Sequence, residues 1–443
     1  MASLRSLIMG KFARRFATVA GFTALSRLTG FARDLALAAL LGSGAMADAF
    51  FLALRLPNHF RALFAEGAFN SSFVPTYAGA LAQRGQAEAL GFAARVLSLT
   101  VAVQVALLLA AEFGMETLTS LLAPGLVAGD GRFELTVELT RITFPYLALV
   151  TIVTVYGAIL NAHQRFAAAA SAPILFNAAI IGALGLAFVF PSPAHAAAWG
   201  VALAGLAEVV LVHIAARRAG IAPGLKRPRL DGEMRTFLKR FGPAILGSGS
   251  AQIAMFADTI VAALLPVGAV SALYYADRLY QLPVGVIAVA LGTVLLPALS
   301  TLVAQGKQEE AVTALRRSAL FGVLVALPFV LVFMAIPDLL IKWVFARGAF
   351  GVETIARAGE VLRAYGFGLA AVILLRPFVS SFHARGDTKT PMWIALAAMV
   401  ANVALKFALM SRFDVAGLAY ATSVGLWLNL GSLMLIGKRR GYW

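Results

Sequence analysis

Apolar runs of roughly 17–25 residues, each long enough to cross a bilayer, recur twelve times along the chain. They lie near 17–41, 47–73, 91–112, 136–160, 170–190, 195–215, 236–264, 270–300, 314–336, 355–382, 391–410 and 414–436. The runs are rich in Ala and Leu and lack the two-residue alternation of an outer-membrane barrel. The pattern therefore predicts an all-α polytopic membrane protein of twelve transmembrane helices. Pro145, Pro173, Pro243, Pro283 and Pro297 fall inside predicted spans and predict kinks. Composition agrees: 60% of residues are hydrophobic and 13% charged, against about 25% charged in soluble domains.

The net charge of +16 is distributed by topology. The N-terminal tail carries Arg5, Lys11, Arg14 and Arg15; the second and fourth connections carry Arg84 and Arg165. The sixth, with its flanks, is densest, from Arg217 and Arg218 through Lys226, Arg227 and Arg229 to Arg235, Lys239 and Arg240. The eighth has Lys307, Arg316 and Arg317, the tenth Arg385 and Lys389, and the C-terminus Lys438, Arg439 and Arg440. Odd-numbered connections are poorer in basic residues, and only the ninth, with Lys342, Arg347 and Arg357, blurs the alternation. The positive-inside rule then places both termini in the cytoplasm, as an even number of spans requires. This distribution argues against a nucleic-acid partner.

Several chemistries drop out. The first run is too long for a signal peptide and contains Arg27 and Arg33, so it reads as a retained first helix. The absence of cysteine excludes disulfides and thiolate chemistry. The five histidines make no metal-ligand spacing, and no phosphate loop of an ATP-driven motor is present. No metal and no cofactor are predicted.

The chain repeats at half its length. GAMADAFFLALRL (44–56) matches GAVSALYYADRL (268–279), FVPTYAGALAQRG (73–85) matches LLPALSTLVAQG (295–306), and HQRFAAAASAP (163–173) matches HARGDTKTP (383–391). Offsets run from 218 (Pro173 to Pro391) to 224 (Gly44 to Gly268). Six spans per half give both halves one orientation, related by a pseudo-two-fold axis along the membrane normal. The expected domains are an N-terminal lobe, 1–218, a basic cytoplasmic linker, 219–235, and a C-terminal lobe, 236–443. Such repeats belong to transporters that open a central site to each side in turn.

Chemistry concentrates in the first two spans. SRLTGFARD (26–34) and ADAFFLALRLPNHFRALFAEGAF (47–69) carry Arg27, Arg33, Asp34, Asp48, Arg55, Arg61 and Glu66. A charge at membrane depth costs at least a few kcal/mol and so faces water or an ionic partner. At about 100° per residue, Asp48, Arg55, His59 and Glu66 share a stripe of the second span. Arg61 lies off it unless Pro57 and Asn58 bend the helix, and Arg33 needs a break at Gly30 to turn inward. Arg278, the repeat-mate of Arg55, sits beside Asp277. Five arginines against Asp34, Asp48, Glu66 and Asp277 favour an anionic ligand, because guanidinium forks suit phosphate oxygens. The structural alternative pairs Arg27 with Asp48 or Glu66 as helix glue. The aromatic pairs Phe50–Phe51 and Tyr274–Tyr275 are open to two readings, stacking on sugar or helix packing.

SRLTGFARD, ADAFF, LPNHFRALFAEGAFNSSFVP, FGPAILG, YYADRL and LGTVLLPALS together resemble the MurJ (MviN) family of bacterial lipid II flippases, over essentially the whole chain. The resemblance implies movement of undecaprenyl-pyrophosphoryl disaccharide-pentapeptide from the cytoplasmic to the periplasmic leaflet of the bacterial inner membrane, by alternating access and without catalysis. It matches the family's cavity residues at Arg27, Arg33, Asp34, Asp48, Arg61 and Arg278, and implies that the arginines bind the pyrophosphate and head group while the acids help lobe closure. Together with the residue pattern, the expected substrate-binding set is Arg27, Arg33, Asp48, Arg55, Asn58, Arg61, Glu66 and Arg278, with Asp34 and Asp277 in lobe closure or charge pairing. Implied partners are lipid II, membrane lipids and cell-wall synthesis proteins. Alternatives are a flippase for another polyprenyl-linked sugar, a cation-coupled drug exporter, and a non-transporting scaffold.

Two departures stand out. Many members have fourteen spans, the last two forming a tail groove; twelve are present here, ending at IGKRRGYW (436–443), so the chain is either truncated or houses the tail elsewhere. Some members bind sodium between the seventh and eleventh spans. Asp258 and Asn402 match that chemistry, but Lys406 follows one turn later, and its ammonium would take the cation's place. The expectation is no sodium requirement, with protons or membrane potential as the driver; Lys406 snorkelling to an interface is the structural alternative.

Overall fold

A computed structural model describes the backbone of residues 2–64 and 67–443 and the side chains of 17–61, 68–245 and 255–443. The order is α1 (Ala2–Leu41), α2 (Ala45–Phe64), α3 (Gly67–Arg84), α4 (Gln86–Phe113), α5 (Met115–Leu122), α6 (Arg132–Thr143), α7 (Tyr146–Ala162), α8 (Phe166–Gly185) and α9 (Pro193–Arg218). Then follow α10 (Gly232–Ala263), α11 (Ala269–Pro283), α12 (Val289–Ala304), α13 (Gln308–Ala335), α14 (Pro337–Phe345), α15 (Val352–Ala384) and α16 (Lys389–Arg439). No strand occurs among the described residues. Helices dominate because hydrocarbon offers no partner for backbone polar groups, and a helix satisfies them within itself.

Among the described residues, eight helical runs are long and apolar enough to cross a membrane. One of them, α16, is 51 residues long and breaks at Asp414 (φ 49°, ψ −136°), so it holds the eleventh and twelfth predicted spans. The first, second and seventh predicted spans fall on α1, α2–α3 and α10. Only 17% of the most apolar window of α13 is buried, and Phe321, Leu320 and Leu324 stand exposed on it. Apolar surface of that extent is covered by lipid rather than water. The protein is an all-α polytopic membrane protein.

Prolines are accommodated locally. Pro57 sits inside a continuous α2. It has no N–H for the Ala53 carbonyl one turn back, and the Thr143 hydroxyl donates to that carbonyl instead, at 3.0 Å. Pro283 ends α11 and opens a π-helical turn, Val284–Ala288, before α12.

By packing, the chain divides into two compact units, Met1–Leu41 with Ala49–Phe256, and Gly42–Asp48 with Ala257–Trp443. In the first, Phe73 stacks on Phe69, Tyr77 and Phe92 at 5.1, 5.6 and 5.5 Å, and Phe237 of α10 meets Phe69, Phe73 and Phe92 edge-on. Met234 and Phe237 are buried in this cluster. The first half of α10 therefore packs with the first unit. The basic segment before it is tied down by ion pairs: Arg95 to Asp231 (2.9 Å) and Glu233 (3.0 Å), and Arg84 to Glu233 (2.9 Å). In the connection before α6, Asp130 accepts the amides of Phe133 and Arg132, and these bonds hold its carboxyl below the ordinary carboxylate range.

The second unit buries Leu295, Leu299, Leu315, Phe378, Phe382 and Leu433, closed by Tyr442 and Trp443 against Phe378 and Phe382. The segment 42–48 belongs to it by hydrogen bonding: Tyr275 donates to the Gly42 carbonyl at 2.9 Å, and Ser43 bonds Thr354. Gly42 has φ +61°, and a Cβ there would stand 2.2 Å from the Ala349 carbonyl oxygen, so only glycine fits.

Candidate functional site

In the first unit, α1 runs unbroken through Gly30, which corrects the expected break there. Arg33 is instead held from its own face. Its Nε and Nη2 donate to Asp34 Oδ1 at 3.0 and 2.7 Å, and its Nη1 donates to Asn177 Oδ1 at 3.0 Å. The guanidinium also lies 5.7 Å from the Phe176 ring centre. Asn177 completes the arrangement by donating to the Ser26 carbonyl (3.1 Å) and the Thr29 hydroxyl (3.0 Å). The buried amide thus locks α8 onto α1 at the level of Arg33, while Arg27 stands exposed on α1. Sequence reasoning missed Asn177. A lone amide in the apolar run of α8 was the available signal.

On α2, Asn58 donates to the Leu54 carbonyl (2.8 Å) and its Oδ1 accepts from Arg61 Nε (3.2 Å). Arg61 and Arg55 are half-buried; His59 is buried with its ring 4.7 Å from that of Phe256. Glu208, a single carboxylate in the apolar α9, is 3% exposed, accepts from the Tyr146 hydroxyl at 3.4 Å and lies within electrostatic reach of Arg61. It also escaped the sequence reading, although an isolated intramembrane acid marks itself. Glu66, expected in this stripe, lies outside the described residues. Phe50, Phe51, Tyr274 and Tyr275 are all buried, which favours packing over sugar stacking.

In the second unit, Asp48 takes a role not foreseen. It is fully buried, and its two oxygens accept the backbone amides of Gly268 (2.7 Å) and Ser271 (2.8 Å). The carboxylate caps α11, satisfying amides that a helix start leaves bare and complementing the helix dipole. It was expected on a substrate-facing stripe or opposite Arg27. Two turns further along α11, Arg278 stacks its guanidinium 4.5 Å from the Tyr274 ring centre, and Asp277 accepts from Gln281 at 3.3 Å. Lys406, only 2% exposed, directs its ammonium onto the Asp258 carboxylate. Asn402 Oδ1, one turn before Lys406, is buried without a hydrogen-bond partner among the described residues.

Of the charged residues in the first two spans, Arg33 is thus paired with Asp34 and Asn177, Arg61 with Asn58, and Asp48 with backbone amides of α11. The sequence model of the family described as "Lipid II flippase MurJ" matches residues 37–442. The chain belongs to the MurJ family. A "Probable lipid II flippase MurJ" of Rhizobium meliloti is 39% identical over 435 residues, covering 97% of this chain and 81% of that protein. The "Lipid II flippase MurJ" of Burkholderia cenocepacia is 33% identical over 437 residues, 97% of this chain and 84% of its own. Among solved structures, a "Lipid II flippase MurJ, inward closed conformation" superimposes with a TM-score of 0.78 at 25% identity, over 95% of this chain and 87% of that one. An inward-facing MATE transporter of the MOP superfamily gives 0.76 at 16% identity, covering 94% of each chain, which speaks to fold alone. The twelve-helix, two-lobe layout fits that fold.

Proposed function

We propose that this MurJ-family protein translocates lipid II from the cytoplasmic to the periplasmic leaflet of the bacterial inner membrane for peptidoglycan synthesis. The observation that carries the reading is the match to relatives named lipid II flippases over nearly the whole chain. The cargo's difficulty is its pyrophosphate and polar head group, since each unpaired polar group costs several kcal/mol in hydrocarbon. Arginine forks replace water's hydrogen bonds to phosphate with charge-assisted ones. Arg27, Arg33, Arg55, Arg61 and Arg278 supply those forks and Asn58 and Glu66 complete the set of substrate residues, while Asp48, expected among them, serves as the buried cap of α11. Asp34 and Asp277 serve lobe closure or charge pairing, which for Asp34 accords with the Arg33 contact. No bond is made or broken, so the protein works without catalysis.

Movement is by alternating access between the lobes 1–218 and 236–443, with 219–235 as a cytoplasmic linker and both termini in the cytoplasm. Sequence duplication supports this, as do solved structures of the same fold described as inward-facing and outward-facing. Coupling uses Asp258, Asn402 and Lys406 without sodium. The buried ammonium on the Asp258 carboxylate supports that reading, because a fixed cation already stands where a mobile one would bind.

The test is rescue of a bacterium depleted of its own lipid II flippase, with membrane expression verified by blot. Wild type restores growth and Arg27→Ala does not at normal protein levels. Failure of well-expressed wild type would reassign the cargo to another polyprenyl-linked sugar; full rescue by Arg27→Ala would favour a scaffold.

A further inference from the structure

Within the second unit, α12, α13 and the π-helical turn before α12 enclose a trough of about 1030 Å³ that the transport reading does not use. Its floor is Leu291 and Leu295, both buried, with the small Ala298 between rims made by Val294 and Phe321. The floor is closed: a Cβ on Gly322 would stand 2.9 Å from Leu291 and 3.3 Å from Ile373, so the helices meet there. The rims face outward, with Val294 73% and Phe321 59% exposed.

One end of the trough is polar. Glu309, Glu310, Thr313, Arg317 and Ser318 form its mouth, next to the turn at 305–307. Glu310 is engaged by Lys307 at 3.1 Å. Neither Arg317 nor Arg316 beside it has an ion-pair partner among the described residues. From Arg317 to Val325 the trough extends about 12 Å along α13, at 1.5 Å per residue; one leaflet contributes about 15 Å of hydrocarbon.

We infer that this trough is a seat for a glycerophospholipid of the adjoining leaflet, with its phosphate on Arg317 and one acyl chain along Ala298 and Phe321. Three features argue together. The apolar length matches one leaflet rather than a whole bilayer. A guanidinium stands at the polar end of the trough, and it offers paired donors to a phosphodiester. The concave shape lets a chain bury more of its surface than a flat helix face allows, so it stays longer than bulk lipid.

The test uses the full chain in phosphatidylethanolamine nanodiscs doped with a trace of phosphatidylglycerol whose acyl chain ends in a diazirine. Photolabelled residues are mapped by mass spectrometry, with exposed Leu203 and Leu206 of α9 as reference lipid-facing sites. Labelling is expected to concentrate on Val294, Phe321 and Val325. Arg317→Gln should lower it about tenfold, the equivalent of one charge-assisted hydrogen bond. Ala298→Trp should fill the trough and abolish labelling there while α9 labels as before. Both positions are outside the core, and size-exclusion profiles confirm that each variant folds. Labelling equal to that of α9, or unchanged in both variants, would overturn the proposal. So would cross-links between two copies at this face, or displacement of the label by undecaprenyl pyrophosphate, which would give the trough to a different occupant.

Discussion

Replacing Asp48 by alanine separates two roles that the sequence alone leaves confounded. The side chain is fully buried, and each carboxylate oxygen accepts one backbone amide at the start of α11, from Gly268 at 2.7 Å and Ser271 at 2.8 Å. Alanine strands both amides without water. A lost helix cap costs about 0.5–2 kcal/mol, and a stranded buried donor about 1–3 kcal/mol; together the change should destabilise the second unit by about 3 kcal/mol. That unit comprises 7 residues (42–48) and 187 residues (257–443). A domain of that size shifts its melting temperature by about 2–4 °C per kcal/mol, predicting a fall of about 6–12 °C. Asp48→Asn keeps one acceptor oxygen and should fall about half as far. The assay is a thermal scan of purified protein in detergent, paired with lipid II flipping normalised to folded protein. Melting at the wild-type temperature with flipping abolished would refute the capping argument and return Asp48 to the substrate.

Other consequences are equally open to measurement. Lys406→Ala and Asp258→Ala should each destabilise the protein, and the double variant should lose less than their sum by about 1–2 kcal/mol, modest because Asp258 is 46% exposed; additive melting shifts would dissolve the pair. Flipping by wild type should be unchanged when choline replaces sodium, whereas sodium-dependent transport would contradict the fixed-cation reading. Asn177→Leu removes three hydrogen bonds between α8 and α1 and should cost about 1–3 kcal/mol and impair rescue at normal protein levels; wild-type rescue and melting would show that Arg33 needs no such hold. Gly42→Ala forces a side chain into a left-handed turn against the Ala349 carbonyl and should lower the yield of folded protein, by about 3 kcal/mol of strain and overlap; normal yield would mean the turn can move.

That the protein is helical and membrane-embedded is legible in the chain alone, because apolar run length and loop charge are local properties that survive any packing. The sequence also exposed the charged pattern of the first two spans and the family resemblance, and it named Asp258 and Lys406, one turn past Asn402, before their contact was seen. Packing decided which partner each charge takes. Asp48 reads as one of several acids on a helical stripe, and only the fold brings the start of α11 to it across 220 residues. Arg33 was expected to need a broken helix; Asn177, 144 residues away, meets it on an unbroken one. Glu208 and Tyr146, 62 residues apart, find each other in the same way. A hydrogen bond is directional and short, so its partner depends on how helices are rotated and stacked, and apolar periodicity along a single helix does not encode that.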